Sequence, residues 1–375
     1  MLKNKHYYSL ENIKKKHCLY NVIFSGRSDG KSYAVIEQSA SKWIKDRQSQ
    51  LAVVRRYRED FKGKRGRTMF NNLIRNGYGE NVIKKMSKGE FDTIVYFGGR
   101  WYMARYDEKL DKNIPAPTPF AVSFAITEWE HDKSSSYPDI VDIMLDEMIT
   151  RGSYLPDEFV LFQQVCSTII RDRDDVTIWM IGNTVNKYCP YFGEMGLNHV
   201  TKMKKGDIDV YQYGESGLTV AVEWAEGASK YGGKKSDKYF AFDNPKLRMI
   251  TNSDWEIPCY PRNKIKFDKT DIMLIYFIIW EGVTLQCEIV SKDGALFTFI
   301  HQKTTLIHDD DSDIIFTKEQ IQKPNYYLNI AKPTSKIMKR IWWFFMSDNV
   351  YYQDNEIGEL VRNYLAWCKA DNILK

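Results

Sequence analysis

Cysteine is scarce and scattered, with six residues at positions 18, 166, 189, 259, 287 and 368, no C-x-x-C pair and no histidine at ligand spacing. This excludes a structural zinc site and a disulfide framework. Long apolar runs are missing as well. The longest, Ile272 to Trp280, is too short to span a bilayer. The first residues, MLKNKHYYSLENIKKKH, lack the apolar centre of a signal peptide. No membrane partner is expected, and the chain reads as a soluble protein of a reducing cytoplasm. Net charge is also small, because 54 Lys and Arg face 49 Asp and Glu, leaving +5. No internal repeat is present.

What is there is apolar and aromatic mass. Hydrophobic residues make up 43% and aromatics 14% of 375 residues, enough for sizeable cores and comfortable for two domains. The charge is uneven. Arg55 to Arg67 (RRYREDFKGKRGR) holds seven basic and two acidic residues, and so carries the full +5 by itself. Further basic clusters lie at Lys14–Lys16, Lys202–Lys205 and Lys230–Lys238. Such patches suit a polyanion, and equally suit solvated loops.

Along the first half, short apolar runs alternate with helical stretches. Leu19–Phe24, Leu51–Arg55, Val122–Thr127, Ile140–Leu145 and Val176–Ile181 read as strands, and Thr93–Phe97 with Arg100–Arg105 as a hairpin across Gly98-Gly99. Helices are predicted from the P-loop region to about Asp46 and over Glu158–Ile170. The alternation predicts an α/β fold, a mostly parallel sheet flanked by helices, over residues 1–200. Residues 201–240 read as a linker or lid region, with Glu226–Asp237 (EGASKYGGKKSD) its most linker-like part. Residues 241–375 predict a smaller α+β domain. There Met273–Trp280, Val283–Val290 and Ala295–His301 form an antiparallel meander, followed by helices at Ser335–Ser347 and Glu356–Lys369.

Ser25-Gly26-Arg27-Ser28-Asp29-Gly30-Lys31-Ser32 follows the first strand and opens a helix. The pattern is G-x-x-x-x-G-K-[ST] with Ser25 at the first glycine. In that context the loop amides cradle phosphates, Lys31 reaches the β- and γ-phosphates of ATP, and Ser32 ligates Mg²⁺. Ile140–Glu147 (IVDIMLDE) is an apolar strand, interrupted by Asp142, that ends in two acids. Asp146 would hold Mg²⁺ and Glu147 would polarise the attacking water; the alternative is a strand running into a helix N-cap. Val176–Ile181 ends in Gly182-Asn183-Thr184, where Asn183 either senses the γ-phosphate or belongs to an ordinary turn. Arg171, with Arg173 nearby, either acts in trans on a neighbour's ATP or pairs with Asp172, Asp174 or Asp175.

At these residues the sequence resembles the DNA-packaging ATPases of small tailed phages with protein-primed genomes, the phi-29-type, terminase-like motor. The resemblance rests on Gly30-Lys31-Ser32-Tyr33-Ala34, Val54-Arg55-Arg56-Tyr57, Lys133-Ser134 with Tyr137-Pro138, Asp146-Glu147, Tyr154-Leu155-Pro156, Arg171-x-Arg173, Asn183-x-Val185 and Pro190-Tyr191-Phe192. It covers residues 20–200 and thins beyond. It implies a P-loop NTPase of the additional-strand, catalytic-glutamate type that moves double-stranded DNA, working as a homo-oligomeric ring, expected to be a pentamer. The ring would dock on the portal of a prohead in the host cytoplasm, with a scaffold RNA as a further partner. It also implies roles for Arg171 as a trans-acting finger, Lys133 as a second trans-acting cation, and Arg55 and Arg58 as nucleotide-sensing residues. Arg58 stands in place of lysine and Ser25 in place of glycine; the first keeps the charge and the second stiffens the loop. The C-terminal domain is expected to be a degraded RNase H-like nuclease. Asp271, Glu288, Asp293 and Asp309–Asp311 offer carboxylates but no convincing pair for two-metal cleavage.

Rival readings are another ring translocase or helicase of the same class, a small-molecule kinase, and a nucleic-acid-binding protein with a lapsed P-loop. The paired acids weigh against the second and the intact motif against the third. A GTPase is discarded because Asn186-Lys187-Tyr188-Cys189 lacks the aspartate of N-K-x-D.

Overall fold

Ten short strands build the first of two sheets: β1 (Tyr20–Ser25), β2 (Gln50–Arg55), β3 (Thr93–Phe97), β4 (Arg100–Asp107), β5 (Lys112–Pro115), β6 (Ala121–Ala125), β7 (Ile140–Leu145), β8 (Thr177–Asn183), β9 (Ile208–Tyr213) and β10 (Leu218–Trp224). The structure, a computed structural model, describes residues 7–152, 154–186, 189–226, 260–307 and 313–370. The Lys230–Lys238 cluster, nearly all of the Glu226–Asp237 stretch and Asp309–Asp311 lie outside those residues.

The order is β3-β4-β6-β2-β7-β8-β1-β10-β9, with β5 on β4. From β6 to β10 every pairing is parallel, and the remaining pairings are antiparallel. The interior strands β1, β2 and β7 are buried almost throughout, as unbroken apolar runs covered on both faces require. Edge strand β9 alternates between half-buried and exposed positions. Helix α1 (Lys31–Asp46) buries Val35, Ser39, Ala40 and Trp43 at helical spacing, and α2 (Glu158–Ile170) buries Phe162, Val165, Cys166 and Ile169. Phe70 packs 4.8 Å from Trp101 and 5.2 Å from Phe120, ring centre to ring centre, in a core that also holds Trp43.

The segment read as a linker contains two strands of this sheet. In β10, Val220, Ala221 and Val222 are buried against β1, and β9 covers β10 from outside. The basic Lys202–Asp207 stretch and the Gly/Lys-rich residues after Glu226 dominate the composition there and mask a seven-residue apolar strand.

The chain divides into two compact units. The first comprises 1–150, 157–187 and 194–256; the second comprises 151–156, 188–193 and 257–375. The second is built on β11 (Ile272–Trp280), β12 (Val283–Lys292), β13 (Ala295–Gln302), β14 (Ile314–Thr317), β15 (Tyr326–Tyr327) and β16 (Val350–Tyr352), with helices α3 (Lys336–Met346) and α4 (Asn355–Ala370). The order is β15-β14-β11-β12-β13-β16. The β11-β12-β13 meander is antiparallel, and the outer strands join it in parallel. Ile341 and Phe344 of α3, and Val361, Tyr364 and Cys368 of α4, enter its core with Tyr276 and Phe316. No described helix is long and apolar enough to cross a membrane.

Candidate functional site

Four neighbouring strands, β2-β7-β8-β1, end side by side, and the polar residues gather at their carboxyl ends. Ligands of open α/β sheets bind at that edge. Ser25 closes β1, Asn183 sits beside it at the end of β8, Asp146 and Glu147 follow β7, and Arg55 closes β2.

The loop between β1 and α1 is shaped by its backbone. Gly30 has φ +95°, and a Cβ there would lie 2.9 Å from the Cβ of Tyr7, so only glycine fits. Ser28 also has positive φ, Arg27 and Ser28 are exposed, and Gly26 and Asp29 are buried. The Asp29 carbonyl accepts a hydrogen bond from the Tyr8 amide at 3.1 Å. Lys31, 4% exposed, turns its ammonium back under the loop. It donates to Ser25 Oγ at 2.9 Å, the Gly26 carbonyl at 2.8 Å and Asn183 Oδ1 at 3.2 Å. Ser25 therefore contributes a hydroxyl that the usual glycine lacks.

Ser32 Oγ donates to Asp146 Oδ1 at 2.9 Å, and Arg55 holds the other oxygen of the same carboxylate. Arg55 also lies 3.7 Å from Glu147 Oε1. Burial works against the Arg55 charge, but the adjacent Asp146 and Glu147 outweigh it and raise the guanidinium pKa above its ordinary value. The Asp146 side chain is mostly buried, whereas that of Glu147 is 60% exposed. A cavity of about 240 Å³ adjoins this group, lined by Ser32, Tyr33, Arg55, Asp60, Arg65 and Asp146 among others. A hydroxyl beside a carboxylate is a hard-oxygen donor set of the kind that suits Mg²⁺.

The other expected site residues lie elsewhere. Arg58 pairs with Glu128 at 2.6 Å. Lys133 stands 3.9 Å over the Trp129 ring and 3.4 Å from Glu130. Arg171 donates to the Ser135 carbonyl at 2.6 Å, so it does not take an aspartate as this partner. Arg173 donates to the Pro138 carbonyl at 2.8 Å and lies 3.6 Å from Asp175. The arginines after α2 thus dock on the loop that carries Lys133.

Two residues given no role by motif matching are tied to this site. Arg56 is 8% exposed, and its guanidinium donates from Nε to Glu158 Oε2 at 2.9 Å, from Nη1 to the Glu147 carbonyl at 2.6 Å and from Nη2 to the Met148 carbonyl at 2.7 Å. A second arginine beside Arg55 on a strand end was the visible signal, since neighbours there face opposite ways. Its partner Glu158, 102 residues away, left none.

Residues 1–226 match the family model described as podovirus DNA encapsidation protein (Gp16). Over 182 residues the chain is 27% identical to a DNA packaging protein of Bacillus phage B103, covering 48% of each. Over 177 residues it is 26% identical to the DNA packaging protein of Bacillus phage phi29, covering 46% of this chain and 45% of that one. The chain thus spans about half the length of the curated relatives it matches. Among solved structures, the phi-28 gp11 DNA packaging motor has a TM-score of 0.54 at 14% identity, covering 98% of this chain and 99% of that one. The phi-29 viral genome packaging motor assembly has a TM-score of 0.52 at 18% identity, covering 96% and 99%. At such identities the likeness is one of fold.

Proposed function

The chain belongs to the podovirus DNA encapsidation protein (Gp16) family, and from that premise we propose that it is the ATPase of a motor driving double-stranded DNA into a phage prohead. One observation carries this reading: Lys31, Ser32, Asp146, Glu147 and Asn183 converge at the carboxyl ends of adjacent parallel strands, with Ser32 and Asp146 2.9 Å apart.

ATP is the substrate. Residues 25–32 cradle its phosphates, and Lys31 exchanges loop oxygens for phosphate oxygens. Ser32 and Asp146 are the residues that would hold Mg²⁺, which neutralises phosphate charge when bound. Glu147, exposed and close behind Asp146, orients a water for attack on the γ-phosphorus and takes its proton as the bond to the β-phosphate oxygen breaks. Asn183, hydrogen-bonded to Lys31, senses whether the γ-phosphate is present. Arg55 keeps both acids compensated, and Arg58, paired with Glu128, is a nucleotide-sensing residue one step further out. Arg171 and Lys133, presented together outside this cluster, act on the ATP of a neighbouring subunit in a ring, a pentamer in this reading. Contacts to DNA go to phosphates rather than bases, since a packaging motor must not prefer sequence, and the basic clusters are the candidates for making them.

The second unit is assigned as an RNase H-like domain that has lost its nuclease and docks on a portal or a scaffold RNA. Its mixed sheet supports this. So do its carboxylates, since Asp271 is held by Lys292 at 2.9 Å and Glu288 faces His301 at 3.4 Å. The working place is the host cytoplasm, at the prohead.

Steady-state ATP hydrolysis with and without double-stranded DNA tests the motor. Turnover stimulated by DNA is expected for the wild type, while Glu147→Gln binds ATP but loses on the order of 10²- to 10⁴-fold in rate, and Lys31→Ala fails to bind. Mixing Arg171→Ala with Glu147→Gln restores part of the activity if the arginine acts in trans. A wild type that binds ATP without turning it over with any DNA contradicts the reading.

A further inference from the structure

We infer that Arg56 is a positioning residue for hydrolysis: its guanidinium sets the direction in which Glu147 projects, and Glu158 ties that setting to α2. The inference rests on Glu147 being the group that activates water.

Glu147 is an unusual place for a working side chain. Its backbone has φ +62°, a left-handed conformation that residues other than glycine seldom hold without external support. Its side chain is 60% exposed and touches Arg55 only at 3.7 Å, so side-chain packing does not fix where the carboxylate points. Its backbone does. The Asp146 amide donates to the Val54 carbonyl at 3.1 Å, and the Met148 amide donates to the Ile181 carbonyl at 2.8 Å. Between those anchors the carbonyls of Glu147 and Met148 both turn to Arg56. Successive carbonyls of an extended strand face opposite ways, so the convergence of these two on one guanidinium marks the chain leaving the strand conformation here, and the bond to the Glu147 carbonyl fixes the peptide that follows the left-handed residue.

Arginine is required by this arrangement. A planar fork serves a carboxylate through Nε and two separate carbonyls through its Nη atoms, whereas a lysine ammonium is a single point of charge. The Glu158 side chain is 2% exposed and opens α2, and the chain leaving α2 passes straight into Arg171, another residue of positive φ. Arg56 therefore connects the turn bearing the water-activating acid to the helix leading to the candidate trans-acting arginine.

Arg56→Lys keeps a cation for Glu158 and gives up the fork, while Arg56→Ala removes the cation beside a buried carboxylate and is avoided. In the full chain, Arg56→Lys is expected to slow single-turnover hydrolysis on the order of 10- to 100-fold with nucleotide affinity essentially unchanged. Amide hydrogen exchange over residues 146–149 should quicken. In the double variant with Glu147→Gln, the Arg56→Lys loss should largely vanish, because both act through one group. Wild-type turnover by Arg56→Lys, or a loss matched by weakened nucleotide binding, or losses that multiply in the double variant, would overturn the inference. If Arg56→Lys does not fold, Glu158→Gln takes its place, with slowed turnover at unchanged affinity expected and full turnover counting against the idea. A Glu147→Gln variant that hydrolyses ATP at the wild-type rate would instead remove the assignment on which the inference stands.

Discussion

In the middle of β7 the carboxylate of Asp142 is fully buried, and it accepts hydrogen bonds from Ser39 Oγ at 3.1 Å, Trp179 Nε1 at 3.0 Å and Lys42 Nζ at 2.8 Å. In Asp142→Ala the buried Ser39 hydroxyl and Trp179 indole lose their acceptor, each at about 1–3 kcal/mol. Lys42, 37% exposed, turns to water at little cost. A net destabilisation of about 3 kcal/mol should appear as a lower urea midpoint with nucleotide affinity retained in the folded fraction, and a loss under about 1 kcal/mol would contradict this account. In sequence Asp142 is only an interruption of an apolar run, because its three partners come from α1 and β8. Lys31, Ser32, Asp146 and Glu147 are legible because each stands at a fixed offset from a strand end. Arg56 shows only as a second arginine at a strand end and Glu158 not at all, since their meaning arises from a contact between distant segments. The docking of Arg171 and Arg173 on the 135–138 carbonyls was likewise invisible, as backbone acceptors carry no residue identity.

At the scale of elements, apolar runs located the interior strands, because strands covered on both faces have few polar positions to confuse the pattern. The same logic missed edge strand β9, which is half exposed, and interior β10, whose short buried run is masked by the polar, Gly- and Lys-rich residues around it. The β12–β13 pair carries a pH response of its own. Its hydrogen bond to the Glu288 carboxylate raises the His301 pKa above 6.5, with burial opposing it. Burial pushes the Glu288 pKa upward, but hydrogen bonds from His301 and Gln286 prevail and hold it below 4.5. A raised histidine stabilises below its unfolded pKa and loses that contribution as pH climbs through the folded value. A lowered glutamate stabilises above its unfolded pKa and loses that contribution as pH falls through the folded value. The pair therefore contributes most between 4.5 and 6.5. The melting temperature of wild type minus that of His301→Gln, followed against pH, should be largest in that window and shrink on both sides. A difference flat across pH would exclude the pair as a source.

For the whole molecule, two units with separate cores predict two calorimetric transitions. A non-hydrolysable ATP analogue at about 100 times its dissociation constant adds roughly 2.7 kcal/mol to whichever unit binds it. Only the transition of the first unit should rise; a single transition moving as one would show that the units unfold together. The division into units was harder to read than the folds, because the short stretches 151–156 and 188–193 belong with the second unit although they lie among first-unit residues in sequence. The strand order has a last consequence, for engineering. The excursion between β2 and β7 builds β3, β4 and β5 at the far side of the sheet, with its tip at Phe97-Gly98-Gly99, where Phe97 is 76% exposed and both glycines have positive φ. Every strand whose end bears a site residue lies inward of β6. The body of that hairpin is held by buried Trp101 and Met103, but its tip lies away from the chemistry and is a natural place to splice in a fluorophore tag or a short epitope.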